Sequence, residues 1–146
     1  MADIFTVEKR SLVMAAIRGR GNRTTEVRLA SLLRQHRITG WRRHHPLLGR
    51  PDFVFPRLHV AVFVDGCFWH GCPRHFRRPA SRQHFWDAKI GRNRARDRAV
   101  NSALKRRGWT VVRIWEHALG RREAGRTLAR LCRVISRAEP GAPTLR

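Results

Sequence analysis

Five consecutive apolar residues, Val60-Ala61-Val62-Phe63-Val64, constrain the fold of this chain more than any other stretch. The run is short and rich in β-branched residues, and Asp65-Gly66 closes it with turn chemistry, so it reads as a central strand buried on both faces. Such a strand needs cover above and below, and the flanking sequence offers helices for it. Helical patterns fall at residues 7–17, 25–35, 82–107 and 121–137. Extended segments fall at 41–45, 52–55, 59–65 and 110–115. The order predicts a mixed α/β sheet flanked by helices. One domain over residues 1–146 is expected, with an N-terminal helical arm over about 1–22 and a frayed tail over about 139–146. The stripe on the long helix is apolar at Trp86, Ile90, Val100 and Leu104, but polar at Asn93 and Asp97. Val27, Leu29, Leu32 and Leu33 form the stripe of the 25–35 helix, and Cys132 falls on the apolar face of the last one.

Charge fixes the kind of partner. Lys and Arg total 32 against 10 Asp and Glu, a formal net charge of +22, and only Lys9, Lys89 and Lys105 among the basic residues are lysines. A domain this basic repels itself unless something anionic lies against it, and the phosphate backbone of nucleic acid suits the arginine fork. No apolar run approaches the roughly 20 residues that span a bilayer, and the first ten residues lack the apolar stretch of a secretory signal. A cytoplasmic protein is expected, in which three cysteines serve metal binding or the core and not disulfides.

Two groups of residues could carry chemistry. Asp52 follows Pro51, and Asp65 ends the apolar run. A hairpin of their strands brings Asp52 toward Val64 and Asp65, and converging carboxylate and carbonyl oxygens bind a hard cation such as Mg²⁺. Alternatively, Asp52 is a turn residue after proline. Glu26, in the first turn of its helix, either complements the helix dipole or reaches the same metal. Cys67, Cys72 and His75 are spaced C-x4-C-x2-H, and His117 follows the last strand, a set sufficient for tetrahedral Zn²⁺. Alternatively, the two cysteines are small buried hydrophobes. His70 is either a substitute zinc ligand or a proton-transfer group beside the carboxylates. Phe68-Trp69 and Phe85-Trp86 are either core or wedges that unstack a weak base step.

Taken together these residues resemble a known family. Arg10-Ser11-x-x-Met14-x-x-Ile17, Glu26, Gly49-x-Pro51-Asp52-Phe53-Val54-Phe55-Pro56 and the run Val62 to Cys72 are similar to the very-short-patch repair (Vsr) endonucleases. The similarity continues through Phe85-Trp86-x-x-Lys89-Ile90, Asn93-x-x-Arg96-Asp97, Gly108-Trp109 and Val112-x-x-Trp115-Glu116. The resemblance implies a restriction-endonuclease-like (PD-(D/E)XK-type) core with a structural zinc site. It implies Mg²⁺-dependent nicking of one strand, 5′ to the T of a T·G mismatch. It places catalytic Mg²⁺ at Asp52 and the Val64 carbonyl, and matches His70 to the catalytic histidine and Glu26 to the family's acidic residue. Phe68, Trp69 and Trp86 match the intercalating aromatics, and Cys67, Cys72, His75 and His117 fall at the structural Zn²⁺. Arg92 and Arg96 are expected on the DNA backbone, with Asn93 bracing the site. The expected partners are double-stranded DNA with a mismatch and mismatch-repair proteins, met by a monomer. The chain departs from the best-known members where Asp65 replaces a catalytic histidine, where His117 replaces a cysteine, and in the spacing of the zinc loop. Two other classes fit part of the pattern: a zinc-stapled, non-catalytic nucleic-acid binder, and a related nuclease with another target. The binder leaves the carboxylates unexplained, because they repel phosphate unless a cation intervenes.

Overall fold

The computed structural model describes residues 23–140. The helix expected over 7–17 and the end of the tail lie outside them. The described elements are α1 (Arg23–Gln35), β1 (Phe53–Phe55), β2 (Val60–Asp65), α2 (Gln83–Arg106), β3 (Thr110–Trp115), a 3-10 turn (Glu116–Leu119) and α3 (Ala124–Ala138).

The three strands form one sheet in the order β1-β2-β3. β1 and β2 pair antiparallel, with Phe53 opposite Val62, and β2 and β3 pair parallel, with Val64 opposite Ile114. All six residues of β2 are buried, as the apolar run requires of a middle strand. A parallel pair needs a long crossover, and α2 supplies it. Leu29 and Leu33 of α1, Val60, Val62 and Val64 of β2, Val112 and Ile114 of β3 and Leu128 and Leu131 of α3 share one core cluster. Ala61, Phe63 and Leu104 form a second. Because neighbouring strand residues point to opposite faces, α1 and α3 cover one face and α2 covers the other.

Four expectations are corrected. Residues 41–45 make no strand; a single bridge joins Arg42 to Val54, with N–O distances of 2.7 and 2.9 Å. His44 is left-handed (φ 56°) and Pro46 has no N–H, so pairing cannot extend. Val27 is 51% exposed, off the buried stripe of α1. Cys132 is exposed, not core, because α3 turns Leu128 and Leu131 inward. The last helix also begins later than expected, at Ala124.

Candidate active site and metal cluster

Asp52 immediately precedes β1 and Val64 lies near the end of β2, so the hairpin register brings them together. The Val64 N–H donates to Asp52 Oδ2 at 2.7 Å. Glu26 approaches from α1. Its spacing from Leu29, Ala30 and Leu33 puts it on the buried face of the helix, where it is 5% exposed. Arg43 pairs with Glu26, and its guanidinium lies over the Phe53 ring. Burial pushes the Asp52 carboxyl up to about 7; the Val64 N–H opposes this, and the nearby Glu26 and Asp65 add to it. A cleft of about 410 Å³ opens onto this pair, lined also by His44, His45 and Arg50.

A second acidic group lies at the same end of β2. Asp65 is 5% exposed. Arg113 Nη1 donates to both of its carboxylate oxygens, at 2.9 and 3.2 Å. His70 Nδ1 hydrogen-bonds Asp97 Oδ2 and lies 3.8 Å from Asp65 Oδ1. Arg113 also approaches Asp97 at 3.5 Å; its Nε donates to Asn101 Oδ1 at 2.8 Å, and its guanidinium stacks over Phe63. Burial disfavours the charged form of His70, but the hydrogen bond to Asp97 and the fields of Asp65 and Asp97 outweigh it and leave the imidazole more basic than usual. Burial likewise raises the Asp65 carboxyl, against the pull of His70 and Arg113.

Beyond Gly66 the chain folds into a Cys/His cluster. Ligand atoms of Cys67, Cys72, His75 and His117 all lie within 4.8 Å of one another. Cys67 Sγ and Cys72 Sγ are 3.3 and 3.5 Å from His117 Nδ1; His75 Nδ1 is 3.1 Å from His117 Nδ1 and 3.9 Å from Cys72 Sγ. An ion held tetrahedrally at about 2.3 Å from sulfur and about 2.0 Å from nitrogen spaces its ligands roughly 3.3–3.8 Å apart, so the donor set fits such an ion. His75 completes the group, and His70 turns the other way, toward Asp97. Burial pushes the Cys67 thiol up to about 11, and burial with the neighbouring His75 holds His117 below the usual imidazole range. The neutral imidazole is the ligating form, whereas the thiol must lose its proton to bind. Glu116 Oε1 accepts from the Cys67 N–H at 2.8 Å. Gly71 has a φ of 62°, and a Cβ there would meet Ile90 at 3.0 Å, so the loop lies directly on α2.

The aromatics gather between this loop and the start of α2. Phe68 packs edge-on against Trp69 and Trp86, with centroids 5.2 and 5.3 Å apart. Phe68 and Trp69 are half-buried, Trp86 is buried, and Phe85 is 40% exposed. The buried Nε1 atoms of Trp69 and Trp86 have no hydrogen-bond partner among the described residues. Asn93 Nδ2 donates to the Trp69 carbonyl at 2.9 Å. The two polar interruptions in the α2 stripe are thereby accounted for: Asn93 holds the aromatic loop and Asp97 holds His70. Arg92 and Arg96 are exposed one position before each of them. Arg43, Asn101 and Arg113 were absent from the sequence-derived site. An arginine inside the otherwise apolar Val111-Val112-Arg113-Ile114-Trp115 was the one available signal for the third.

The fold and its side chains define a small mixed α/β protein with an acidic group and a metal-competent Cys/His group at one end of its sheet. The family model described as DNA mismatch endonuclease Vsr matches residues 2–75. The DNA mismatch endonuclease Vsr of Escherichia coli (strain K12) is 43% identical over 84% of this chain and 79% of its own length. The type II nicking enzyme V.XorIIP of Xanthomonas oryzae pv. oryzae is 40% identical over 92% of this chain and 98% of its own. The type II nicking enzyme V.NaeI of Lentzea aerocolonigenes is 53% identical over 47% of this chain, which spans 41% of that protein. The chain belongs to the Vsr family.

Proposed function

We propose that this chain is a Mg²⁺-dependent DNA endonuclease that nicks one strand of a duplex at a T·G mismatch, on a restriction-endonuclease-like core. The observation that carries the reading is the half-buried Asp52 carboxylate, beside the buried Glu26 and accepting from the Val64 N–H, at the same sheet end as Asp65, His70 and Asp97 in a chain of this family. A buried carboxylate close to a second one is costly unless a cation joins them. The carbonyl of a strand residue leaves the chain on the same edge as its N–H, which favours the Val64 carbonyl as the second ligand beside Asp52. When bound there, Mg²⁺ would polarise the scissile phosphate and acidify a water.

The chain's own groups supply the rest. His70 gives its Nδ1 to Asp97, which leaves Nε2 as the atom that takes a proton from the attacking water. Glu26 would help to hold an ion at Asp52, and Asp65 orients His70 from within its pair with Arg113. Phe68, Trp69 and Trp86 form the wedge beside the mismatch. Trp86 is buried beneath its neighbours, so the wedge opens on binding; the two unpartnered indole N–H groups, each costing about 1–3 kcal/mol when buried, favour that rearrangement. Arg92 and Arg96 grip the phosphates, Asn93 braces the loop, and Cys67, Cys72, His75 and His117 hold a structural Zn²⁺. The chain would act as a monomer on mismatched duplex DNA in a bacterial cytoplasm, alongside mismatch-repair proteins. No helix among the described residues is long and apolar enough to cross a membrane.

The test is nicking of a T·G duplex against its matched control, with and without Mg²⁺. Asp52→Asn is expected to lower the single-turnover rate by about a thousandfold or more, since the metal's contribution is several kcal/mol, while duplex affinity stays within a few-fold. Nicking by Asp52→Asn at the wild-type rate would refute the site.

A further inference from the structure

On α3, the buried residues Leu128 and Leu131 and the partly buried Val134 and Ile135 seat the helix on the core. Its outer face carries Arg126, Arg130, Arg133 and Arg137, all exposed. Their spacing of four, three and four places them within a fan of roughly 60° and along about 16 Å of helix. No carboxylate pairs with Arg133 or Arg137 among the described residues. Glu123, the acidic group nearest the start of the helix, is held by Arg74 at 3.0 Å.

The stripe begins at a recess in the sheet edge. Among the described residues β3 is an outer strand, and between it and α3 lies a pocket of about 260 Å³ lined by Arg113, Trp115, Arg126, Thr127 and Arg130. Arg130 Nη2 donates to the Arg113 carbonyl at 2.7 Å, so one guanidinium is fixed at the mouth. The Arg113 side chain is committed to Asp65, leaving Arg126 and Arg130 as the cations of the recess. α3 covers the opposite face of the sheet from α2, which carries Asp97, Arg92 and Arg96.

We propose that the α3 stripe and the recess at the β3 edge form a second anionic-polymer surface, which binds the phosphate backbone of duplex DNA outside the stretch being cut. The proposal rests on the reading that the chain works on duplex DNA. Four guanidinium groups in line, with a regular rise and no acidic neighbour between them, suit a repeating row of phosphates better than the mixed polar surface of a protein. Holding DNA on both faces of the sheet also gives the large positive charge a partner on the side away from the acidic pocket.

The test is the salt dependence of binding to a matched duplex several helical turns long. Removing one phosphate-neutralising side chain lowers the slope of log K against log salt by about 0.9. The variant Arg126→Gln/Arg130→Gln/Arg133→Gln/Arg137→Gln is expected to lose about three to four units of slope. Arg133→Gln/Arg137→Gln, which touches neither the recess nor the core, is expected to lose about two. The charge-matched control Arg57→Gln/Arg107→Gln, off the stripe, is expected to lose less than about one. A slope change per charge no larger than the control's overturns the proposal. So does loss of polyglutamate binding with the DNA slope intact, which would assign the face to an acidic protein. Nicking is measured on the same preparations. A wild-type chain that never nicks but shows the stripe effect would sink the nuclease reading alone, and one that nicks without the stripe effect would sink this inference alone.

Discussion

Arg113 ties together two carboxylates from different elements, Asp65 of β2 and Asp97 of α2, and is itself held by Asn101. Removing one partner of a largely buried pair leaves the other charge uncompensated, at a cost of about 3–5 kcal/mol. Arg113→Met is therefore expected to lower stability in denaturant unfolding by about 3 kcal/mol and to slow nicking more than it weakens binding. Adding Asp65→Asn should recover part of the stability, because it removes the orphaned charge. A double variant no more stable than the single would show that the pair contributes nothing. Asp52 leads to a pH prediction. Its folded-state carboxyl titrates at about 7, above its ordinary 3.8. Across that interval the native chain keeps a proton that the unfolded chain has released, so stability falls as pH rises from about 4 to about 7. Saturating Mg²⁺ at Asp52 should flatten this slope, and Asp52→Asn should abolish it. Melts at about pH 5 and about pH 7.5, on either side of the folded-state value, check both with and without the ion.

At the level of elements, β2 and the long helix were legible because their patterns are local: five apolar residues in a row, and a stripe with helical spacing. The convergence of Asp52 on Val64 was legible too, since a hairpin was the natural way to join two short strands. Residues 41–45 misled because nothing in the local residue types registers the left-handed His44. Cys132 misled because it follows Leu131 by one residue, about 100° around the helix, which puts it beside the buried face and not within it. Arg113 escaped notice because its partners are 48 and 16 residues away, close only once β2 and β3 are in register. The loop of Cys67 to Phe76 was legible in residue types and not in the choice between His70 and His75. That choice follows from the way Gly71 lays the loop on α2. Trp69, held by Asn93 on that loop, offers the element-scale test. Trp69→Ala is expected to cut affinity for a T·G duplex about tenfold or more, as for removal of a base-stacking platform, and to leave matched-duplex affinity nearly unchanged. Equal losses on both duplexes would remove the wedge.

For the molecule as a whole, the Cys/His cluster joins the end of β2 to the turn after β3, two segments 50 residues apart in Cys67 and His117. A bound ion there would close a long loop that the sheet holds, among the described residues, through three strands. Cys72→Ser is expected to lower the Tm by roughly 5–10 °C and to reduce the tightly bound metal to well below about one equivalent. Calorimetry and elemental analysis of the purified protein check the two effects together. An unchanged Tm with full metal content would exclude Cys72 as a ligand.

The short path from Val64 to Cys72 serves two masters: its first residues face the acidic pocket and its last ones face the Cys/His group. Were an ion held by that Cys/His group and then removed, the slack would run straight back along that tether into His70 and Asp65. The enzyme would then fall silent while its sheet was still intact, and replenishing magnesium would not revive it.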